Sequence, residues 1–459
     1  MLSEFSVRGR RVVVVGAARS GIAAAELLLR RGAQVLLSES RDTFADATRL
    51  MKLGIELELG GHKAGTLADA DLVVTSPGVA TDQPLFDLSR ARGVEIIGEL
   101  ELASRWLKGR VIAITGTKGK STTTTLIGRM LVASSRVTTV GGNIGVPLSS
   151  QVDESTPDTL HVVEASSFQL ETTTTFRPWI AVWLNLAADH LDRHPTLAAY
   201  ATAKARIFAN QTSTDFAVIN ADDPTVVAQS VDLKATRVPF SMRNGLEDGF
   251  ALEGAWIVRR QGGAVQPLVP VDAVELPGRH MLNNVLAATA VATLAGSSPD
   301  QIRTALRGFH GLEHVMEPVA EIRSVRFIND SKATNVEAAR CSIESFPSGV
   351  VAIVGGHFKG GDLGELAVAL KAHGTAAVAI GDSADAVAAA LEGAVPVTRA
   401  RSMREAVERA YQAAVPGGVV LLAPACASFD WFRDYAERGR VFREEVTRLA
   451  ARESQGTNV

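Results

Sequence analysis

The segment that most constrains this chain is a short apolar run, Val111-Ile112-Ala113-Ile114, that passes directly into Thr115-Gly116-Thr117-Lys118-Gly119-Lys120-Ser121-Thr122. A strand, a glycine-rich turn, a Lys-Ser pair and a helix start, in that order, form the context of a phosphate-binding loop. The glycines let successive backbone N–H groups face an anion, and the helix N-terminus adds partial positive charge. The lysine reaches the outer phosphates, and the serine hydroxyl suits a magnesium ion. The spacing is GxxGKS, two residues shorter than the general pattern. Such a loop needs a parallel sheet behind it, so an α/β architecture follows. Gly116, Thr117, Lys118, Gly119, Lys120, Ser121 and Thr122 are therefore assigned to ATP, with Lys120 as the residue nearest the chemistry.

Strand and helix signals alternate on both sides of this loop. Val12 to Val15, the helical stretch Ile22 to Arg31 and Gln34 to Ser38 form a βαβ unit, and Leu72 to Thr75 and Val94 to Ile97 extend it. Gly98-Glu99 reads as a hinge. A second set follows the loop, with strands at His161 to Val163 and Ile180 to Leu184. Residues 237–276 read as small antiparallel strands, and Arg279 to Ala295 as a helix. A third set begins at Val325 to Ile328 and continues through Val350 to Val354, Ala376 to Ile380 and Val419 to Leu422. The 459 residues are enough for roughly three domains.

Composition narrows the function classes. A net charge of −3 gives no reason to expect a nucleic-acid partner. No apolar run reaches the roughly 18 residues of a membrane span. The first ten residues lack the apolar core of a secretion signal. Two cysteines, Cys341 and Cys426, exclude a disulfide framework and fit a reducing compartment, so the cytoplasm is expected.

Other strand ends carry polar groups. Gly16-Ala17-Ala18-Arg19-Ser20-Gly21 occupies the place of a dinucleotide fingerprint, but Ala18 stands where a pyrophosphate would need glycine. Arg19 and Ser20 offer donors to a different nucleotide diphosphate. Glu164 ends a strand of the loop-bearing set, where a carboxylate is placed to hold Mg²⁺. His190, within Asp189-His190-Leu191-Asp192-Arg193, falls at the same sheet edge and is a candidate for a second metal. Lys204 by itself reads as a solvated helix lysine. Asn329-Asp330-Ser331-Lys332-Ala333-Thr334-Asn335 is explained equally well by a helix cap or by ligand donors. Gly355-Gly356-His357-Phe358-Lys359-Gly360-Gly361 is a third glycine-rich loop, with Lys359 available to an anion.

Taken together, Gly116 to Thr122, Glu164 to Glu171, Asp189 to Arg193, Asp330 to Asn335 and Pro424-Ala425-Cys426-Ala427-Ser428-Phe429-Asp430 resemble the Mur ligases, over nearly the whole chain and in family order. The resemblance implies three domains: a Rossmann-like UDP-substrate domain over 1–98, a central P-loop ATPase-like domain with a parallel sheet over 99–311, and a Rossmann-like C-terminal amino-acid domain over 312–459. It implies ATP-dependent amide formation in peptidoglycan precursor synthesis, through an acyl phosphate. The Asp330–Asn335 and Pro424–Asp430 segments point to members that join D-glutamate to UDP-N-acetylmuramoyl-L-alanine. By position, Ser121 and Glu164 would share one Mg²⁺. His190 would hold a second beside Lys204, which in this family is often carbamylated. Lys120, His190 and Lys204 become the catalytic set. Asn284, Asp330 and Lys332 would meet the ADP portion. Arg19, Ser20, Ser40, Ser76, Gly78 and Asn143 would contact the nucleotide-sugar substrate, and Thr334, Lys359, Ser428 and Phe429 the D-glutamate. A monomer without nucleic-acid or membrane partners is expected.

Two positions depart from the family pattern. The usual His-Arg pair before Glu reads His314-Val315-Met316-Glu317, and the usual Gly-x-His-Asn reads Gly278-Arg279-His280-Met281. Both bear on ATP affinity. The alternatives are a Mur-type or folylpolyglutamate-type ligase for another amino acid, an NAD-dependent oxidoreductase using Gly16–Gly21, and a non-catalytic nucleotide-binding relative.

Overall fold

The computed structural model describes residues 5–187, 189, 193–243, 245–276 and 278–455. Strands and helices alternate along these residues and collect into three sheets. Packing divides the chain into two compact units. One carries the first two sheets, and the other carries the third sheet with the segment 272–283.

The first sheet has five parallel strands in the order Glu56–Glu58, Gln34–Ser38, Arg11–Val15, Leu72–Thr75, Glu95–Gly98. The chain winds outward from Arg11–Val15 in one direction, then returns to its other side. The strands Arg11–Val15 and Leu72–Thr75 stay paired to their last residues, and the loops after them lead to opposite sides, which opens the usual binding crevice of a doubly wound sheet. Val12 to Val15 are fully buried because helices cover both faces. Gly98, expected as a hinge, is buried in this structure. It ends its strand and leads at once into the helix Glu99–Ser104, and its N–H donates to the Thr172 carbonyl at 3.2 Å. Three residues after Gly98, the Glu101 carboxylate is fully buried and accepts backbone N–H groups of Thr174, Thr175 and Phe176 at 2.9–3.1 Å, which ties this helix to the second sheet.

The second sheet has nine strands, and the phosphate-loop strand Arg110–Thr115 lies between Ile180–Trp183 and Leu160–Glu164. Its strands run parallel from Thr138–Gly142 to Gly249–Glu253. Only the last three, Gly249–Glu253, Trp256–Gln261 and Ala264–Pro270, pair antiparallel. The expectation of antiparallel strands over 237–276 thus holds from 249 onward, whereas Thr236–Ser241 pairs parallel with both neighbours. The switch to antiparallel follows from the short connections Gly254-Ala255 and Gly262-Gly263, which cannot hold a crossover helix.

The third sheet, in the second unit, runs Glu317–Ile322, Val325–Asn329, Val419–Leu422, Val350–Gly355, Gly374–Ile380, Val397–Arg399. All of its pairings are parallel except the first hairpin. Among the described residues, no helix is long and apolar enough to cross a membrane.

Candidate functional site

The phosphate loop owes its position to strand register. Ile114 pairs with Glu164 on one side and Thr115 with Trp183 on the other, so the residues following all three strands emerge at one edge. The helix Lys120–Ala133 starts there with Gly119 as its left-handed N-cap, at φ +80°. Glycine is required at that position for a second reason. A Cβ on Gly119 would fall 2.1 Å from Asn284 Oδ1, so Asn284, assigned to ATP on resemblance alone, sits against the loop. Lys120 Nζ curls back to donate to the carbonyls of Gly116 at 2.8 Å and Thr117 at 3.0 Å. Ser121 and Thr122 occupy the first turn of the helix.

Three side chains surround this loop. Glu164 is buried; its Oε1 accepts from Asn143 Nδ2 at 2.8 Å, and its Oε2 has no hydrogen-bond partner among the described residues. Lys204, near the end of the helix Leu197–Ala205, is 1 % exposed and donates to the Gly116 carbonyl at 2.8 Å. Its ammonium also lies 4.4 Å from the centre of the Tyr200 ring. The reading of Lys204 as a solvated helix lysine is corrected by this burial. The third is Asn185, which residue-level reasoning left without a role. Its Oδ1 accepts the Thr117 and Lys118 N–H groups at 3.0 and 2.9 Å, and its Nδ2 donates to the Lys118 carbonyl at 3.1 Å. His190 lies outside the described residues.

A cleft of about 390 Å³ opens where the first sheet switches direction, and its wall is completed from the second sheet. Arg19, Ser20, Ser40, Ser76, Gly78 and Asn143, which are far apart in sequence, all line it. Arg19 and Ser20 begin the helix Arg19–Arg30, and Arg19 Nη1 donates to the Gly145 carbonyl at 3.2 Å. Ser76 Oγ donates to the Gly16 carbonyl at 2.8 Å. Glu39, which sequence reasoning missed, holds this wall together. Its carboxylate accepts the Ala17 N–H at 2.7 Å and pairs with the Arg41 guanidinium at 3.1 Å. The Arg41 hydrogen bonds outweigh burial and bring the Glu39 carboxyl down to about 2. An acid at the end of the second strand of a βαβ unit is where such folds place a ribose contact, and that signal was available in the sequence.

The second unit gathers the remaining candidates. The strands Val325–Asn329, Val419–Leu422 and Val350–Gly355 are adjacent and parallel, so the loops after them share an edge. The first loop carries Asp330, Lys332 and Thr334, the second Ser428 and Phe429, and the third Lys359. Asp330 is buried. Its Oδ1 accepts the Met316 N–H at 3.1 Å, and its Oδ2 accepts the Ser342 hydroxyl. Ser428 is buried, whereas Phe429 is 66 % exposed with Lys359 Nζ 5.7 Å from its ring centre. The departures from the family pattern are accommodated locally. Met281 is buried, and Val315 lies between His314 and Met316, which both adopt positive φ. The His314 imidazole is buried, which pushes its pKa down, and contacts Asn329 at 3.0 Å.

Comparison with known proteins gives the same order of parts. Residues 10–98 match the "Mur ligase MurD-like, N-terminal domain", 114–292 the "Mur ligase middle domain" and 316–426 the "Mur ligase, glutamate ligase domain". The chain is similar to the UDP-N-acetylmuramoylalanine–D-glutamate ligase of Acidobacterium capsulatum, 46 % identical over 96 % of each chain. It is similar also to the ligase of the same name from Koribacter versatilis, 44 % identical over 98 % of this chain and 100 % of the relative. In fold it is similar to the solved UDP-N-acetylmuramate-alanine ligase of Thermotoga maritima, with a TM-score of 0.59 at 22 % identity over 96 % of this chain and 100 % of that one. With these three segments in sequence along one chain and such identity over nearly its whole length, the chain belongs to the Mur ligase family, on its MurD-like branch.

Proposed function

We propose that the chain joins the amine of D-glutamate to the lactoyl-alanine carboxylate of UDP-N-acetylmuramoyl-L-alanine, with ATP converted to ADP and phosphate. A carboxylate oxygen of the nucleotide-sugar substrate attacks the γ-phosphorus, and the bond from that phosphorus to the β–γ bridging oxygen breaks. The acyl phosphate that results is attacked by the amine nitrogen. The tetrahedral adduct then expels phosphate as the nitrogen loses a proton.

The observation that carries this reading is the loop Gly116–Ser121, bonded by Asn185 and following a strand paired with the one that ends at Glu164, in a chain with full-length MurD-like resemblance. Phosphoryl transfer requires little beyond alignment and positive charge, and here Lys120 and the N-terminus of the helix Lys120–Ala133 provide both. Lys120 leaves the Gly116 and Thr117 carbonyls and follows the outer phosphates. Asn284 borders the loop at Gly119 and is assigned to the nucleotide, as are Asp330 and Lys332.

The residues present fit magnesium. Mg²⁺ in nucleotide sites takes one or two protein oxygens and fills its shell with phosphate and water. The buried, unpartnered Oε2 of Glu164 and the Ser121 hydroxyl provide such a pair, and among the described residues no group of three acidic, histidine or cysteine side chains gathers elsewhere to hold a metal. The ion supplies charge neutralisation on the phosphate oxygens. A carbamate on Lys204 would convert a buried cation into an anion next to the loop, and His190 is its proposed companion for a second ion.

Arg19, Ser20 and the start of their helix receive the UDP diphosphate, with Ser40, Ser76, Gly78 and Asn143 framing the rest of the nucleotide sugar. Thr334, Lys359, Ser428 and Phe429 receive D-glutamate, where Lys359 pairs a carboxylate. ADP release measured with the nucleotide sugar, with and without D-glutamate, tests the assignment. Release dependent on both substrates is expected, with a loss of at least about a hundred-fold in Lys120→Ala. Turnover with a different amino acid and none with D-glutamate would overturn it.

A further inference from the structure

Arg438 lies in the first turn of the helix Tyr435–Gln455 and is 1 % exposed. Its three nitrogens all donate, and among the described residues none of these bonds goes to a carboxylate. Nε donates to Ser331 Oγ at 3.0 Å, Nη2 to the Ser331 carbonyl at 2.8 Å and Nη1 to the Cys426 carbonyl at 3.0 Å. A buried guanidinium with no carboxylate bonded to it is expensive, and burial, only partly offset by Cys426 and Asp430 nearby, brings its pKa down to about 10. Stability alone is a poor reason for such a group. Its geometry offers a better one, because a planar fork bridges two backbone segments at a fixed separation.

The two segments are the loops that carry the proposed amino-acid contacts. Ser331 is three residues before Thr334, and Cys426 is two before Ser428. The same loops are laced by backbone bonds, Ala425 N–H to the Ala333 carbonyl at 2.9 Å and a reciprocal pair between His357 and Ala427 at 2.9 and 3.0 Å. Ala425 is held at φ +59°, a left-handed conformation costly for a residue with a Cβ. At Gly356 a Cβ would fall 2.3 Å from the Ala427 carbonyl oxygen and 3.3 Å from Arg438 Nη1, so the third loop, which leads to Lys359, also rests on this point. Ser331 Oγ donates onward to the Tyr435 carbonyl at 2.7 Å, which anchors the fork in its own helix.

We propose that Arg438 is a positioning residue for the amino acid, and that it sets the separation of the Asp330–Asn335 and Ala423–Asp430 loops through Ser331 and Cys426. The inference rests on D-glutamate as the amino acid received by this unit. The test uses the full chain with Arg438→Met and Arg438→Lys. Steady-state kinetics would vary D-glutamate and, separately, the nucleotide sugar, whose cleft lies in the other unit. In Arg438→Met, KM for D-glutamate is expected to rise about ten-fold or more while KM for the nucleotide sugar stays within about two-fold. Arg438→Lys, which keeps the charge but not the fork, should fall between the two and serves if the Met variant does not fold. Equal KM for D-glutamate in a folded variant, or a loss of kcat alone, would overturn the proposal. Absence of D-glutamate dependence in the unaltered chain would instead overturn the substrate reading.

Discussion

Asn185 closes the phosphate loop from the side opposite Glu164, through three hydrogen bonds to Thr117 and Lys118. Asn185→Ala leaves two loop N–H groups and a carbonyl without that partner. The loop should then sample other shapes before ATP binds, which weakens ATP by the cost of ordering it. KM for ATP is expected to rise about ten-fold, the equivalent of one or two such bonds, with the nucleotide-sugar KM unchanged. An unaltered ATP KM would remove Asn185 from the site. At this scale the sequence was unevenly informative. Lys120 was legible because its neighbours on both sides repeat one message. Lys204 was not, because its helix is rich in alanine and has no polar face to show which way the lysine points. Asn185 and Glu39 were missed since a single polar residue after a strand also reads as a cap. Only the paired strands show which backbone groups each one meets.

Among the elements, the strand Leu160–Glu164 carries a second, unrelated constraint. His161 is fully buried between Thr139 Oγ1 at 2.9 Å and Ser155 Oγ at 2.8 Å, and burial lowers its pKa from 6.5 to about 4. The unfolded chain therefore takes up the proton first as the pH falls. The contribution of the neutral ring is complete above 6.5 and is lost progressively down to 4. Between pH 7 and pH 5 that amounts to about 2 kcal/mol. Urea unfolding of His161→Gln should show a decline smaller than the wild type by about that amount, and parallel declines would refute the assignment. Buried strands such as this one were legible as β-branched runs. Thr138–Gly142, at the edge of the sheet, was not, because its outer face is partly exposed and two glycines dilute the pattern. Gly98 has a packing role that its neighbours in sequence do not reveal. A glycine before a glutamate reads as a hinge, yet here the absent Cβ makes room for Thr172, whose Oγ1 would lie 2.2 Å away from it.

For the molecule as a whole, three successive α/β sets were visible as alternating periodicity, but their strand order was not. The order that opens the cleft between Arg11–Val15 and Leu72–Thr75 depends on which strands pair across tens of residues, and periodicity contains no such information. Of the residues lining that cleft, Arg19 and Ser20 were legible as phosphate donors after the first strand, whereas Ser76, Gly78 and Asn143 could be joined to them beforehand only by resemblance. The central claim is that the nucleotide sugar's carboxylate takes the γ-phosphoryl group before the amine attacks. Oxygen-18 placed in that carboxylate tests it directly. The account predicts one labelled oxygen in the inorganic phosphate released for each amide formed; phosphate released without the label would contradict it.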